Sequence, residues 1–324
     1  MTHSGIATID LTPLVQGLDG QDQVVSEIMS ACRDIGFLSI VGTGVAPELI
    51  KNMRDAVRRV FAVDEQDKWD QAITRENYRG YIPLSFFTPN DGSGTADKYE
   101  GYKLHRETAP DDPILQDCAL FGPNRWPEGV IGVEEAVLSY WAEMDRVTSV
   151  LLGALETGLD LPESALRANF HAPLTNMTLL HYPPQAPDEA GFGIHAHKDS
   201  SALTIIAPDP VGGLEVRSND GWITPDCPEG GFIVNIGDVL EHFSGGRLVS
   251  TPHRVVNKSG KERYSFPYFA VPSHDATITS LLDPVEGFER PDVHCGYWQS
   301  EVWRTNWPDE ISEDATLELG TIHD

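Results

Sequence analysis

Basic residues are scarce in this chain. Lys and Arg number 23 against 50 Asp and Glu, a formal charge of −27 over 324 residues. A field of that sign repels nucleic acid and anionic membrane, so neither is expected as a partner. Cysteine is sparse too: Cys32, Cys118, Cys227 and Cys295 form no CxxC pair. That spacing excludes a thiolate zinc site and a disulfide scaffold, and fits a reducing cytoplasm. No apolar run approaches the roughly 18–20 residues that span a bilayer. The start, MTHSGIATIDLTP, has no basic segment leading into an apolar core, so no secretory signal is expected. The helical zinc motif HExxH is absent. Gly42-x-Gly44 is a poor nucleotide loop, because Ala46-Pro47 stand where a third glycine is needed. No internal repeat or low-complexity segment occurs, and oligomeric state leaves no readable mark.

What is present is an ordinary globular chain, 40% hydrophobic, with a change of character along its length. Ile6–Leu11 reads as a strand, and 22–35 as a helix with Val24, Val25, Ile28, Met29 and Cys32 on one face. FLSIV (37–41) reads as a strand, followed by a helix from Pro47 with a stripe of Leu49, Met53, Val57 and Phe61. Residues 75–130 read as long loops with short elements. A long helix is expected over 133–157, with Val133, Val137, Tyr140, Met144, Val147 and Leu151 inward, and a short one from Pro162. From about 174, β-rich runs follow one another without helical period: TLLHY, ALTIIA, LEVR, FIVNI, RVVN and YSFPYFAV. Such runs indicate an antiparallel sandwich or barrel. Gly212-Gly213, Asn219-Asp220-Gly221, Gly245-Gly246 and Ser259-Gly260 are expected to close hairpins. Trp298, Val302, Trp303 and Trp307 suggest a C-terminal helix. The expected organisation is an N-terminal helical and loop region (1–130), a support-helix region (131–173), a β core (174–275) and a C-terminal helical extension (276–324), together one structural unit.

The chemistry concentrates in HAHKD (195–199), STPHRVV (250–256) and RYSFPYF (263–269). His197 and Asp199 are two apart, a spacing that puts both on one face of an extended segment. With 11 His in the chain, such a pair arises about once by chance and means little alone. His253 strengthens it, since β-runs between 203 and 256 allow the chain to fold back and bring 253 beside 197–199. By itself His253 reads as a hydrogen-bonded histidine at a strand start. Two imidazoles and a carboxylate without thiolate fit iron(II), or manganese or cobalt in its place. A zinc hydrolase shares that ligand set but commonly carries it on a helix.

Arg263 and Ser265 also share a face. Arg offers a fork to a carboxylate and Ser a hydroxyl. An Arg in so apolar a run is either at an exposed edge or holding an anion. Tyr182, in LLHYPPQ, is placed to add a hydroxyl from a neighbouring strand.

Together these stretches resemble the isopenicillin N synthase-like family of iron(II) and 2-oxoglutarate-dependent oxygenases. GFLSIVGTGV, Arg79-Gly80-Tyr81, Trp126-Pro127, HAHKDSSALTII, GGLEV, FIVNIGDVLEHFSGGRLVSTPHRVVN and RYSFPYF carry the resemblance over nearly the whole chain. It implies a mainly β fold, a double-stranded β-helix (jelly-roll) core with flanking helices. It implies iron on His197, Asp199 and His253, and the distal carboxylate of 2-oxoglutarate on Arg263 and Ser265 with Tyr182 assisting. It also implies oxidative decarboxylation of 2-oxoglutarate by O2, coupled to C–H oxidation of a small metabolite. Hydroxylation is the default outcome; desaturation or cyclisation is open to the same chemistry.

Two departures keep alternatives open. Leu180 stands where plant members often carry Asn. In the oxidative cyclases that name the family, the Arg-x-Ser pair holds the substrate's own carboxylate, so a cyclase without 2-oxoglutarate is the alternative. A non-enzymatic metal-binding jelly roll is a more distant one. The pair His195-x-His197 invites a cupin reading, but no Glu follows within ten residues. His195 is expected to face the same way as His197, towards substrate or iron. Arg79, Tyr81, Lys103, His105 and Arg106 are candidates for the outer pocket. These basic groups in so acidic a chain suggest an anionic or zwitterionic small molecule, such as an amino acid or other carboxylated compound.

Overall fold

The computed structural model describes residues 5–87, 95–116, 118, 120–186, 189–305 and 307. The N-terminal third gives β1 (Thr8–Asp10), α1 (Thr12–Gln16), α2 (Gln21–Asp34), β2 (Phe37–Val41), α3 (Pro47–Phe61), α4 (Glu65–Trp69), β3 (Gly80–Ile82) and β4 (Glu100–His105). After α5 (Val133–Gly158) come β5 (Asn176–Tyr182), β6 (Ile194–His197), β7 (Leu203–Ile206), β8 (Leu214–Ser218), β9 (Gly221–Ile223) and β10 (Phe232–Ile236). Then follow α6 (Asp238–Phe243), β11 (His253–Val255), β12 (Arg263–Ser265), β13 (Tyr268–Ala270), β14 (Thr277–Ile278), β15 (Val293–His294) and α7 (Cys295–Thr305).

The strands build a major sheet in the order β1-β2-β10-β7-β13-β5-β4-β3, with β12 also on β5, and a minor sheet β6-β11-β8-β9. Among the strands named here β1 and β2 run parallel and the other strand pairs of these two sheets are antiparallel. Two facing antiparallel sheets joined by long connections make the jelly roll. Register sorts the major sheet into two faces, because paired residues point the same way. Leu38, Val234, Ile205, Tyr268, Met177 and Leu104 form one row. They lie in the large core that the stripes of α2, α3 and α5 complete. The opposite row is Phe37, Asn235, Thr204, Phe269, Asn176 and His105. It faces inward, and the polar side chains on this inner face mark the site.

Several sequence expectations change. Pro162 begins a turn that leads into a 3-10 helix at Arg167–Phe170. Of the four expected hairpins only Asn219-Asp220-Gly221 is one, joining β8 to β9. The other glycine pairs turn the chain between strands that pair elsewhere, as a jelly roll requires. YSFPYFAV is two strands, since Pro267 has no amide hydrogen for the ladder. The helix α6 interrupts the β-rich stretch. None of the four cysteines is in a disulfide. Among the described residues no helix is long and apolar enough to cross a membrane.

Candidate active site

His197 ends β6 and His253 begins β11, and the two stand opposite each other in the minor sheet. Asp199 follows two residues after β6. Its Oδ1 lies 3.6 Å from His197 Nε2 and 3.7 Å from His253 Nε2. The three donor atoms lie within 4.8 Å of one another. Every other polar atom of the trio is occupied. His197 Nδ1 donates to the His195 carbonyl at 2.8 Å and His253 Nδ1 to the Thr251 carbonyl at 3.3 Å, the tautomers that free both Nε2 atoms. Asp199 Oδ2 accepts from Thr204 Oγ1 at 2.5 Å and from Asn235 Nδ2 at 2.8 Å, which turns Oδ1 inward. Burial alone would raise the Asp199 carboxyl, but the two imidazoles and these hydrogen bonds hold it below its ordinary range. Burial lowers the His253 imidazole to about 4 against the pull of Asp199, so it is neutral and able to ligate. Asp199 and His253 are buried, whereas 36% of the His197 side chain is exposed. One side of the trio is therefore walled by the sheets and the other is open. The donor set, its charge and its convergence fit a divalent metal with free positions.

Arg263 sits on β12, opposite Tyr182, and Ser265 opposite Leu180. The guanidinium is buried and lies over the Tyr182 ring at 4.5 Å. Its Nε donates to the Gly212 carbonyl at 2.6 Å, while one terminal nitrogen is buried without any partner. Among the described residues no carboxylate approaches it within 4.0 Å. A buried guanidinium with an unused donor is a socket for an external anion. Burial pushes the Tyr182 phenol up to about 12, with Arg263 opposing, so it stays protonated and able to donate.

Residues 162–272 match the family model of the 2OG-Fe(II) oxygenase superfamily, and 6–129 match the model of the N-terminal region of non-haem dioxygenases in morphine synthesis. A 2-oxoglutarate-Fe(II) type oxidoreductase of Aspergillus fumigatus is 34% identical over 80% of this chain and 79% of its own length. The chain belongs to the 2OG-Fe(II) oxygenase superfamily. Jasmonate-induced oxygenase 2 of Arabidopsis thaliana is 32% identical over 90% of this chain and 76% of its own length. The crystal structure of JOX2 with 2OG, Fe and JA superposes with a TM-score of 0.79 at 28% identity, covering 97% of this chain and 88% of that one. A full-length Neurospora crassa protein, crystallised in complex with alpha-KG and thymine, shares the fold with a TM-score of 0.81 at 20% identity over 94% of this chain and 98% of its own. As a superfamily member the chain is an iron(II) and 2-oxoglutarate-dependent oxidoreductase, with dioxygen as the usual co-substrate.

The candidate outer-pocket residues of this oxygenase separate. Lys103 and His105 are on β4 and point to the inner face, in register with Thr178 and Asn176. Lys103 Nζ donates to Asn176 Oδ1 at 2.7 Å and Thr178 Oγ1 at 3.1 Å. His105 is held by the Tyr78 carbonyl and packs on Trp303 at 4.4 Å; burial drives its pKa well down, so it is neutral. Tyr81 pairs with Tyr102 on the opposite face and donates to Glu100 at 2.7 Å, away from the trio. Arg79 is buried and donates through its two terminal nitrogens to the carbonyls of Asn77 and Leu120, where it pins the loops around β3, while its Nε is buried without a partner. Arg106 lies just past β4 and lines a separate cavity of about 320 Å³ with Asp145, Arg167 and Tyr268, on the helix side of the sheet. His195 does not follow the two-residue alternation. Three steps on β6 (197 to 194) oppose two on β11 (253 to 255), a bulge at His195. The His195 ring is buried on Asp97 Oδ1 at 2.7 Å, and the same oxygen accepts the His195 amide at 2.8 Å.

Asp97, Thr204 and Asn235 are the supporting residues that sequence reasoning passed over. A signal for two of them was present: Asn in FIVNI and Thr in ALTII are polar residues at positions that alternation turns towards the core. Asp97 had none, since it lies in an irregular loop.

Proposed function

We propose that this oxygenase couples oxidative decarboxylation of 2-oxoglutarate to oxidation of a C–H bond in a small molecule, with hydroxylation as the expected outcome. His197, Asp199 and His253 hold the iron. Arg263, with Ser265 and the Tyr182 hydroxyl, holds the distal carboxylate of 2-oxoglutarate. The observation that carries this reading is the occupancy of donors: each ligand has one atom free, and the three free atoms converge.

Iron with 2-oxoglutarate supplies dioxygen activation and the oxidation of an unactivated C–H bond; the protein supplies position and electrostatics. Thr204 and Asn235 fix the Asp199 carboxylate so that one oxygen serves the metal. The His195 carbonyl sets the plane of the His197 ring. Arg263 neutralises one carboxylate of the co-substrate and fixes its direction, and Gly212 in turn fixes the guanidinium. The second wall of the chamber, formed by Lys103, Asn176, Thr178 and Phe269, receives the substrate.

The test is anaerobic addition of 2-oxoglutarate to the iron(II) protein. A metal-to-ligand charge-transfer band, followed by succinate release on admitting air, is expected. A protein that gains no band and forms no succinate with any substrate would sink the reading. It would favour an oxidative cyclase in which Arg263 holds the substrate's carboxylate.

A further inference from the structure

Several half-buried cations in this acidic protein are matched to carboxylates. Lys68 meets Glu100 at 2.7 Å, Arg254 meets Glu215 at 2.6 Å, Arg290 meets Glu241 at 2.5 Å and Arg54 meets Asp209 at 3.5 Å. The inner face carries two that are not. One is Arg263. The other is Lys103, whose two hydrogen-bond acceptors, Asn176 and Thr178, are both neutral. An ammonium has three donors, so one is left over. Lys103 is half-buried on the inner face of the major sheet, so part of its surface remains accessible to a partner. Asp199 acts on it through space without touching it. An unpaired buried ammonium costs several kcal/mol unless a partner arrives.

Charge counting on this face identifies the partner. Iron(II), Asp199, a 2-oxoglutarate dianion and Arg263 together carry no net charge. Asp97 is already engaged by the His195 ring and amide. Burial lowers the Lys103 ammonium to about 7, so it takes its full charge when an anion meets it, and among the described residues it is then the cation of this face without a countercharge. One lysine balances one negative charge. The Thr178 hydroxyl accepts from Lys103 and keeps its own proton to donate, so the pair can serve both oxygens of a carboxylate. Apolar surface adjoins the pair: Nζ stands over the Phe269 ring at 5.4 Å from its centroid, and His105, on the same face of β4, packs on Trp303, which stacks on Tyr78 at 4.6 Å. Three strand spacings of ~4.8 Å separate β4 from β7, which bears Thr204, so the span from Lys103 to the metal ligands is that of a small molecule.

We propose that Lys103, with Thr178, receives the carboxylate of the primary substrate, and that the substrate is therefore a small monocarboxylate with an apolar body lying against Phe269. This rests on the function proposed above, in which Arg263 is taken by 2-oxoglutarate.

The test uses acid and amide pairs of one skeleton, phenylacetate against phenylacetamide and hexanoate against hexanamide. Each is titrated into the anaerobic iron(II)–2-oxoglutarate protein and read as a change in the charge-transfer band. The wild type is expected to bind the acids about 10- to 100-fold more tightly than the amides, the worth of one charged hydrogen-bond pair. Lys103→Met is expected to abolish that preference and Lys103→Arg to keep most of it, with circular dichroism as the control for folding. Equal affinity for acids and amides, an acid preference that survives Lys103→Met, or no binding of any acid would overturn the proposal. Should 2-oxoglutarate give no band, the assignment of Arg263 and the metal trio fails instead. Thermal stabilisation of the metal-free protein by the same acids, lost in Lys103→Met, then still decides the role of Lys103.

Discussion

Asn235 on β10 donates to Asp199 Oδ2 at 2.8 Å, from a strand that neither precedes nor follows the loop carrying Asp199. Thr204 on β7 donates to the same oxygen. The carboxylate is thus aimed by the major sheet, while the imidazoles belong to the minor sheet. Replacing either donor leaves the ligand present but free to rotate. Asn235→Leu and Thr204→Val are each expected to weaken iron(II) or cobalt(II) binding by about 10- to 100-fold. Metal titration with calorimetry checks this. Undiminished affinity in both variants would show that Asp199 needs no brace.

The candidate metal trio was legible in the sequence and its braces only in part, for physical reasons. His197, Asp199 and His253 lie in extended segments whose period and order survive folding. The turn of the His195 ring depends on a bulge, which is a property of register between two strands and leaves no trace in either. The helix α6 was invisible because all six of its residues are buried, which removes the amphipathic period by which helices are read. β4 was hidden for a related reason: its inner face carries the polar Lys103 and His105, which breaks the apolar-polar alternation by which strands are read. Glycine pairs were correctly seen as turns and wrongly assigned to hairpins, since loop length alone does not say which strand the chain will join.

Arg263 offers a sharper test of the 2-oxoglutarate assignment. Its guanidinium is fixed by Gly212 and by Tyr182, and the unused donor has no protein partner. Arg263→Gln is expected to raise the KM for 2-oxoglutarate by about 100-fold or more, the cost of losing a buried charged contact. Arg263→Lys should recover only part of it, because an ammonium cannot reproduce the planar fork. Succinate formation against 2-oxoglutarate concentration measures both. A KM change for the primary substrate alone would point to the cyclase arrangement.

The loop before β8 should matter to the same constant. Gly213 has φ of 92°, and a Cβ there would stand 2.6 Å from the Val256 carbonyl and 3.6 Å from Arg263 Nε. Gly213→Ala forces the loop away from β11 and with it the Gly212 carbonyl that holds Arg263. A rise of about tenfold in the KM for 2-oxoglutarate is expected, together with a loss of about 1–3 kcal/mol in stability. Chemical denaturation and steady-state kinetics on the same preparation separate the two effects. Gly212→Ala is the matched control, since nothing stands within 4 Å of a Cβ there; it meets only the strain of its φ of 78°.

On the outer face, Glu100 accepts from Lys68 and Tyr81 at 2.7 Å each and from His181 at 2.7 Å; the other His181 nitrogen meets Glu262. Burial opposes ionisation of Glu100, but these partners overcome it and hold the carboxyl at about 2, against 4.5 ordinarily. A depressed carboxyl stabilises the fold fully above about 4.5 and loses that contribution as pH falls towards 2. For His181 burial lowers the pKa, and Glu100 and Glu262 outweigh it, so the imidazole is raised above 6.5. Its contribution is complete below 6.5 and fades as pH rises through the folded value. The cluster therefore stabilises most between about pH 4.5 and 6.5, by about 2–3 kcal/mol from Glu100. Glu100→Gln should remove that amount and flatten the acid limb of stability against pH, as read by urea denaturation from pH 3 to 8. Tyr81→Phe should cost about 1 kcal/mol and leave the KM of the primary substrate unchanged, because Tyr81 faces α4 rather than the chamber. A raised KM in Tyr81→Phe would return that residue to the substrate pocket.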